Sequence, residues 1–100
     1  MSNLKLPGKV TIMDVSPRDG LQSEAVFVPT EKKIGLINKL IAAGVRHIEA
    51  TSFVSPKWVP QMADAEAVFA AVGSQEGVTI EVLVPNEKGY DRAKATGLLK

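Results

Sequence analysis

One hundred residues at net charge +1, with 45% hydrophobic and 23% charged side chains, fit one small globular domain with a real core. No cysteine is present, which excludes disulfides, thiolate metal sites and a thiol nucleophile within these residues. His47 is the single histidine, so this chain alone cannot build a histidine zinc site, and its scattered basic residues argue against nucleic acid as a partner.

No apolar run approaches the ~20 residues that a bilayer span requires, so no membrane association is expected. Met1 to Lys5 lacks both the apolar core of a signal peptide and the arginine-rich pattern of a transit peptide. The expected compartment is the cytoplasm.

In chain order, the first predicted strand is Val10 to Val15, leading into the turn Pro17-Arg18-Asp19-Gly20-Leu21-Gln22. Thr30 follows Pro29 as a candidate N-cap, with Glu31 in the first turn, where the helix dipole favours an acid. Ile34, Ile37, Leu40 and Ile41 recur at helical spacing, and Gly44 stands where a left-handed cap is expected. Glu31, Lys32 and Lys33 are expected to be a solvated helix start.

The second predicted strand runs from about His47 to Phe53. Pro56 and Pro60 exclude regular helix or central strand from the loop that follows. A second helix begins near Asp64 and carries Ala65, Val68, Phe69 and Val72 on one face before Gly73. The third strand, about Thr79 to Val84, ends at Pro85, and Asn86 can cap a third helix running to Thr96 before Gly97.

Strands alternating with helices at roughly thirty to forty residues predict a parallel sheet with right-handed crossovers. Three such units are too little sheet for a closed barrel, so the chain reads as the opening of something larger.

Ligands collect at the carboxyl ends of strands in parallel α/β folds, where the Arg18-Asp19 turn and the Ser52 to Trp58 loop both fall. Asp19 is a hard oxygen donor of the kind magnesium or manganese prefers. Arg18 keeps its charge and offers a planar donor fork for a carboxylate or a developing enolate. A surface turn with an ion pair between neighbours is the plainer account of the same residues.

Glu49 alters that balance. Strict alternation points His47, Glu49 and Thr51 one way and Ile48, Ala50 and Ser52 the other. A carboxylate in mid-strand is costly unless paired, and Arg18 is the nearest cation by topology. Glu49 is therefore expected to orient Arg18, with bonds to backbone or water as the alternative. His47, at the far end of its strand, reads as structural. Lys57 and Trp58 can meet a phosphate or cover a ligand, or be a solvated lysine and a loop-stapling ring. Gln22 can bond the substrate or hold its own loop.

Val15-Ser16-Pro17-Arg18-Asp19-Gly20-Leu21-Gln22, followed by Ile48-Glu49-Ala50-Thr51-Ser52-Phe53-Val54-Ser55-Pro56-Lys57-Trp58-Val59-Pro60-Gln61-Met62, resembles the hydroxymethylglutaryl-CoA lyase family. Val84-Pro85-Asn86 is similar to that family's third strand end. The resemblance implies an α/β fold comprising the first three βα units of a (β/α)8 TIM barrel, incomplete in this chain, with residues 1–100 as the amino-terminal part of one lyase domain.

By the same resemblance the reaction is cleavage of 3-hydroxy-3-methylglutaryl-CoA to acetyl-CoA and acetoacetate in leucine degradation, with a divalent cation, Mg2+ or Mn2+, as cofactor. Asp19 is implied as a metal ligand, Arg18 and Glu49 as catalytic, and Arg18, Gln22, Ser52 and Lys57 as substrate-binding. The implied partner is a small acyl-CoA, and the full-length enzyme is expected to be a homo-oligomer, a dimer. The lyases draw further ligands from a His-x-His pair and an asparagine and use a cysteine on a glycine-rich loop. These sequences are missing here, so the chain alone is expected to be inactive. A lyase with a longer acyl-CoA, a Claisen-type acyltransferase, and a non-catalytic fragment assembling through open sheet edges are the alternatives.

Overall fold

The computed structural model describes residues 8–100. Two parallel strands, β1 (His47–Ser52) and β2 (Thr79–Leu83), form the sheet. Three helices accompany them: α1 (Thr30–Ala42), α2 (Ala65–Val72) and α3 (Glu87–Ala95). Ile48 and Ala50 of β1 are buried with Ile37 of α1 and Val68 and Val72 of α2. A second cluster, Phe53, Ala65, Phe69 and Ala93, joins α2 to α3, and Ile80 packs against both clusters. The helix stripes seen in the sequence are thus the helix layer's contact with the sheet.

The first predicted strand is reduced to one parallel bridge, Asp14 with Ile48. The Asp14 amide donates to the His47 carbonyl at 2.9 Å, and the Glu49 amide donates to the Asp14 carbonyl at 2.9 Å. Pairing stops there because Asp14 begins a turn. Its Oδ1 accepts from the Ser16 amide at 2.9 Å and the Ser16 hydroxyl at 2.6 Å. Val10 and Ile12, upstream of the bridge, are 69% and 77% exposed.

The helix ends follow the expected chemistry, with one exception. Gly44 has φ +103° and receives α1 through a Val45 amide to Leu40 carbonyl bond of 3.0 Å. Asn86 Oδ1 accepts from the Gly89 amide at 2.8 Å, capping α3, and Gly97 follows its end at φ +73°. Thr30 does not cap α1. It lies inside the helix, with Pro29 at the cap position, and its hydroxyl donates to Asp64 Oδ2 at 2.6 Å. Gly89 allows α3 to close on the sheet, because a Cβ there would stand 2.3 Å from the Phe53 carbonyl oxygen.

Candidate active site at the carboxyl ends of the strands

After Asp14 the chain makes a π-helical turn, Ser16–Gly20, with Pro17 buried. The Arg18 and Asp19 amides both bond the Val15 carbonyl, at 3.1 and 2.7 Å. This turn packs on β1, and the Asp14 bridge fixes its height along that strand. Arg18 consequently lies level with Glu49, and its Nε donates to Glu49 Oε1. The pairing anticipated from topology is present. The two side chains are 19% and 16% exposed, enough shielding to strengthen the attraction beyond a surface pair.

Asp19 occupies the solvent side of the same guanidinium. Its Oδ1 is 3.5 Å from Arg18 Nη1, at the limit of a hydrogen bond, and its side chain is 64% exposed. The guanidinium is thus held on its inner side by Glu49, while Asp19 keeps lone pairs free for another cation. The surface ion pair between neighbours does exist, but it is the weaker of Arg18's two contacts.

Strict alternation fails in the middle of β1, and the failure moves two residues. Glu49 pairs with Glu81, yet Thr51 pairs with Val82 and Ser52 with Leu83, so a bulge lies between Glu49 and Thr51. Val82 packs into the helix-facing cluster, and Thr51 therefore turns to the helices, where its hydroxyl lies 3.7 Å from Met62 Sδ. Ser52 turns the other way. It shares the face of Glu49 and Glu81, contrary to the period-2 expectation.

Ser52 is fully buried, and among the described residues neither its hydroxyl nor the buried amide oxygen of Gln22 has a hydrogen-bond partner. Such atoms are uncommon in folded proteins because each forfeits its hydration. Lys57 and Trp58 lie on the exposed loop after β1, Trp58 being 78% exposed, and Lys57 forms no ion pair among the described residues. The structure thus gathers Arg18, Asp19 and Glu49 and leaves Lys57 outside that cluster. His47 is half-buried at the opposite end of β1.

Among the described residues, no group of three or more histidine, cysteine, aspartate or glutamate side chains could enclose a cation. Asp19 fits as one outward-facing oxygen ligand, with the remaining coordination supplied from elsewhere.

Glu31 and Lys32 are exposed, as expected of a solvated helix start, but Lys33 is not. It is 2% exposed, and its Nζ donates to Asp64 Oδ1 at 2.6 Å and to the Gln61 carbonyl. Position 33 lies one helical turn before Ile37 and shares its buried face, but the acid and carbonyl that make burial of its charge tolerable come from distant segments.

The chain matches the HMGL-like family model over residues 9–100. It belongs to the HMGL-like family. Over 92 residues it is 51% identical to the mitochondrial hydroxymethylglutaryl-CoA lyase of Arabidopsis thaliana, covering 92% of this chain and 20% of that protein. The crystal structure of hydroxymethylglutaryl-CoA lyase from Pseudomonas aeruginosa superposes with TM-score 0.85 at 49% identity, covering 93% of this chain and 31% of that one. A lyase from Acinetobacter baumannii, solved with coenzyme A and 3-methylmalate, superposes with TM-score 0.81 at 46% identity, over 88% and 29% of the two chains. The chain therefore spans about a fifth to a third of the length of these relatives. Within the HMGL-like family its β1, β2 and Asp14 bridge are the opening strands of the barrel, and the Arg18 turn stands at their carboxyl ends.

Proposed function

We propose that the polypeptide carrying this chain cleaves 3-hydroxy-3-methylglutaryl-CoA to acetyl-CoA and acetoacetate. The observation that carries this reading is the Arg18–Glu49 pair with Asp19 beside it, in a chain about half identical to lyases of that substrate. In such a retro-aldol step the bond between the thioester α-carbon and the hydroxyl-bearing carbon breaks. The 3-hydroxyl loses its proton and becomes the ketone of acetoacetate, the electron pair of the broken bond passes to the thioester enolate, and one proton taken up at its α-carbon completes acetyl-CoA.

Arg18 suits the enolate oxygen: its charge is permanent, and Glu49 already fixes its orientation, so little reorganisation is needed as charge develops. Glu49 positions Arg18 and offsets its charge. Ser52 and Gln22 offer unpaired polar atoms for substrate oxygens or amides. Lys57, solvated on its loop, suits the phosphates of the coenzyme. Asp19 would hold a divalent cation, Mg2+ or Mn2+, which when bound supplies Lewis-acid polarisation of the substrate's hydroxyl and carboxylate oxygens.

A place in leucine degradation, residence in the cytoplasm and a dimeric full-length enzyme belong to the same proposal. The test is a cleavage assay on 3-hydroxy-3-methylglutaryl-CoA with magnesium, using the intact polypeptide and residues 1–100 alone. Acetoacetate from the intact polypeptide and none from the shorter chain is expected; no acetoacetate from either overturns the reading.

A further inference from the structure

Lys33 stands on α1, outside the Arg18 cluster, yet its ammonium joins both segments that leave the carboxyl ends of the first strands. It bonds the Gln61 carbonyl at the end of the loop after β1, and Asp64 where α2 begins. Its third side lies over the Phe27 ring, 4.5 Å from the centroid, in the segment that follows the Arg18 turn. Gln61 extends the link, its Nε2 donating to the Glu24 carbonyl at 2.7 Å. Thr30 saturates the other oxygen of Asp64 at 2.6 Å.

The ammonium thus donates two hydrogen bonds, to Gln61 and Asp64, and sets its charge over the Phe27 ring. The side chains of Lys33 and Asp64 are 3% and 11% exposed, so water competes little for the pair. Asp64 sits at the N-cap position of α2 but makes no capping bond, so the pair is not needed to start that helix. At its other end, the loop is held by Arg92 Nη1, which donates to the Val54 carbonyl at 3.1 Å. Both ends are anchored to charged side chains, and between them Trp58 is exposed.

We propose that Lys33, through Asp64 and Gln61, is a positioning residue that locks the loop after β1 to the segment after the Arg18 turn. These two segments lead away from the Arg18 turn and from the Ser52 end of β1. Their mutual placement sets how the acyl-CoA is received, a consequence that rests on the function proposed above. The locking itself does not depend on that function.

The experiment uses the intact polypeptide and the paired substitution Lys33→Met with Asp64→Leu. Replacing both members of a buried ion pair by apolar side chains avoids leaving a lone buried charge, and such exchanges are commonly neutral to stability. Should the pair fail to fold, Gln61→Ala, which cuts the link to Glu24 and leaves the ion pair intact, replaces it.

Amide hydrogen exchange is expected to quicken about tenfold or more at Glu24, Trp58, Val59 and Met62, the bonded amides of the two segments, with β1 and α2 unchanged. Unchanged exchange in both segments of a folded variant overturns the proposal, as does equal acceleration throughout the chain. On 3-hydroxy-3-methylglutaryl-CoA, KM is expected to rise about fivefold or more with kcat within about twofold, a split that general destabilisation does not produce. If the parent cleaves nothing, the function reading fails while the exchange result still decides the locking.

Discussion

Arg18 and Glu49 are joined across two neighbouring strand segments, thirty-one residues apart, by a single hydrogen bond from Nε to Oε1. One bridge at Asp14 decides that they meet, because it sets the height at which the Arg18 turn stands beside β1. Arg18→Lys in the intact polypeptide keeps the charge but loses the fork that serves Glu49 and an enolate together. We expect kcat to fall by about 10²–10³, the usual loss for an oxyanion-stabilising donor. Steady-state kinetics on 3-hydroxy-3-methylglutaryl-CoA check this, and an unchanged kcat would count against the assigned role.

Asp19 should behave differently. Its side chain is largely exposed and its one contact is long, so Asp19→Asn should change stability by no more than about 0.5 kcal/mol. Divalent-cation affinity should nonetheless drop, because the amide offers a neutral oxygen where the carboxylate offered a charge. Titration calorimetry with magnesium or manganese reads the affinity, and thermal melts read the stability.

Ser52 presents the opposite case, a buried hydroxyl with no hydrogen-bond partner among the described residues. Ser52→Ala should leave stability within about 0.5 kcal/mol of the parent or raise it, since an unsatisfied polar atom is removed. If that hydroxyl receives substrate, KM should rise in the same variant. Loss of stability with unchanged KM would mean that it serves the fold.

Gly89→Ala tests the closure of α3 on the sheet. In an exposed helix interior this change stabilises by up to about 1 kcal/mol. Here the new Cβ would collide with the Phe53 carbonyl oxygen, so the sign should reverse, with a loss of about 1–3 kcal/mol. Urea unfolding midpoints decide between the two signs.

Arg92 donates to Glu66 through Nε at 2.8 Å and Nη2 at 2.7 Å, binding α3 to α2. These bonds hold the Glu66 carboxyl below its ordinary value, against the smaller opposing effect of its burial. A carboxylate with a lowered folded-state pKa adds stability that is present above the unfolded value, about 4.3, and is lost as pH falls through the folded value. The melting temperature should therefore fall on acidification through that window, and Glu66→Gln should flatten this part of the profile. Because Glu66 is about half exposed, the effect should shrink at high salt.

Much of this protein follows from local pattern. The apolar stripes of α1 and α2, the Asn86 cap, and Gly44 and Gly97 at helix ends are properties of short stretches, governed by backbone geometry within a turn or two. The order of strands and helices gave the parallel sheet, and with it the level at which Arg18 could reach Glu49. Three features needed the tertiary structure. The bulge after Glu49 places Ser52 on the face of Glu49 and turns Thr51 to the helices, because register depends on the partner strand. The first predicted strand shrank to one bridge: residues 10–13 pair with no strand among the described residues, and beyond the bridge the Asp14 side chain bonds Ser16 and starts the turn. Lys33 went from helix surface to interior because an acid and a carbonyl, from segments some thirty residues away, converge on its ammonium. Local sequence determined which elements form and which residues carry charge; only packing between distant segments decided which of those charges are buried and paired.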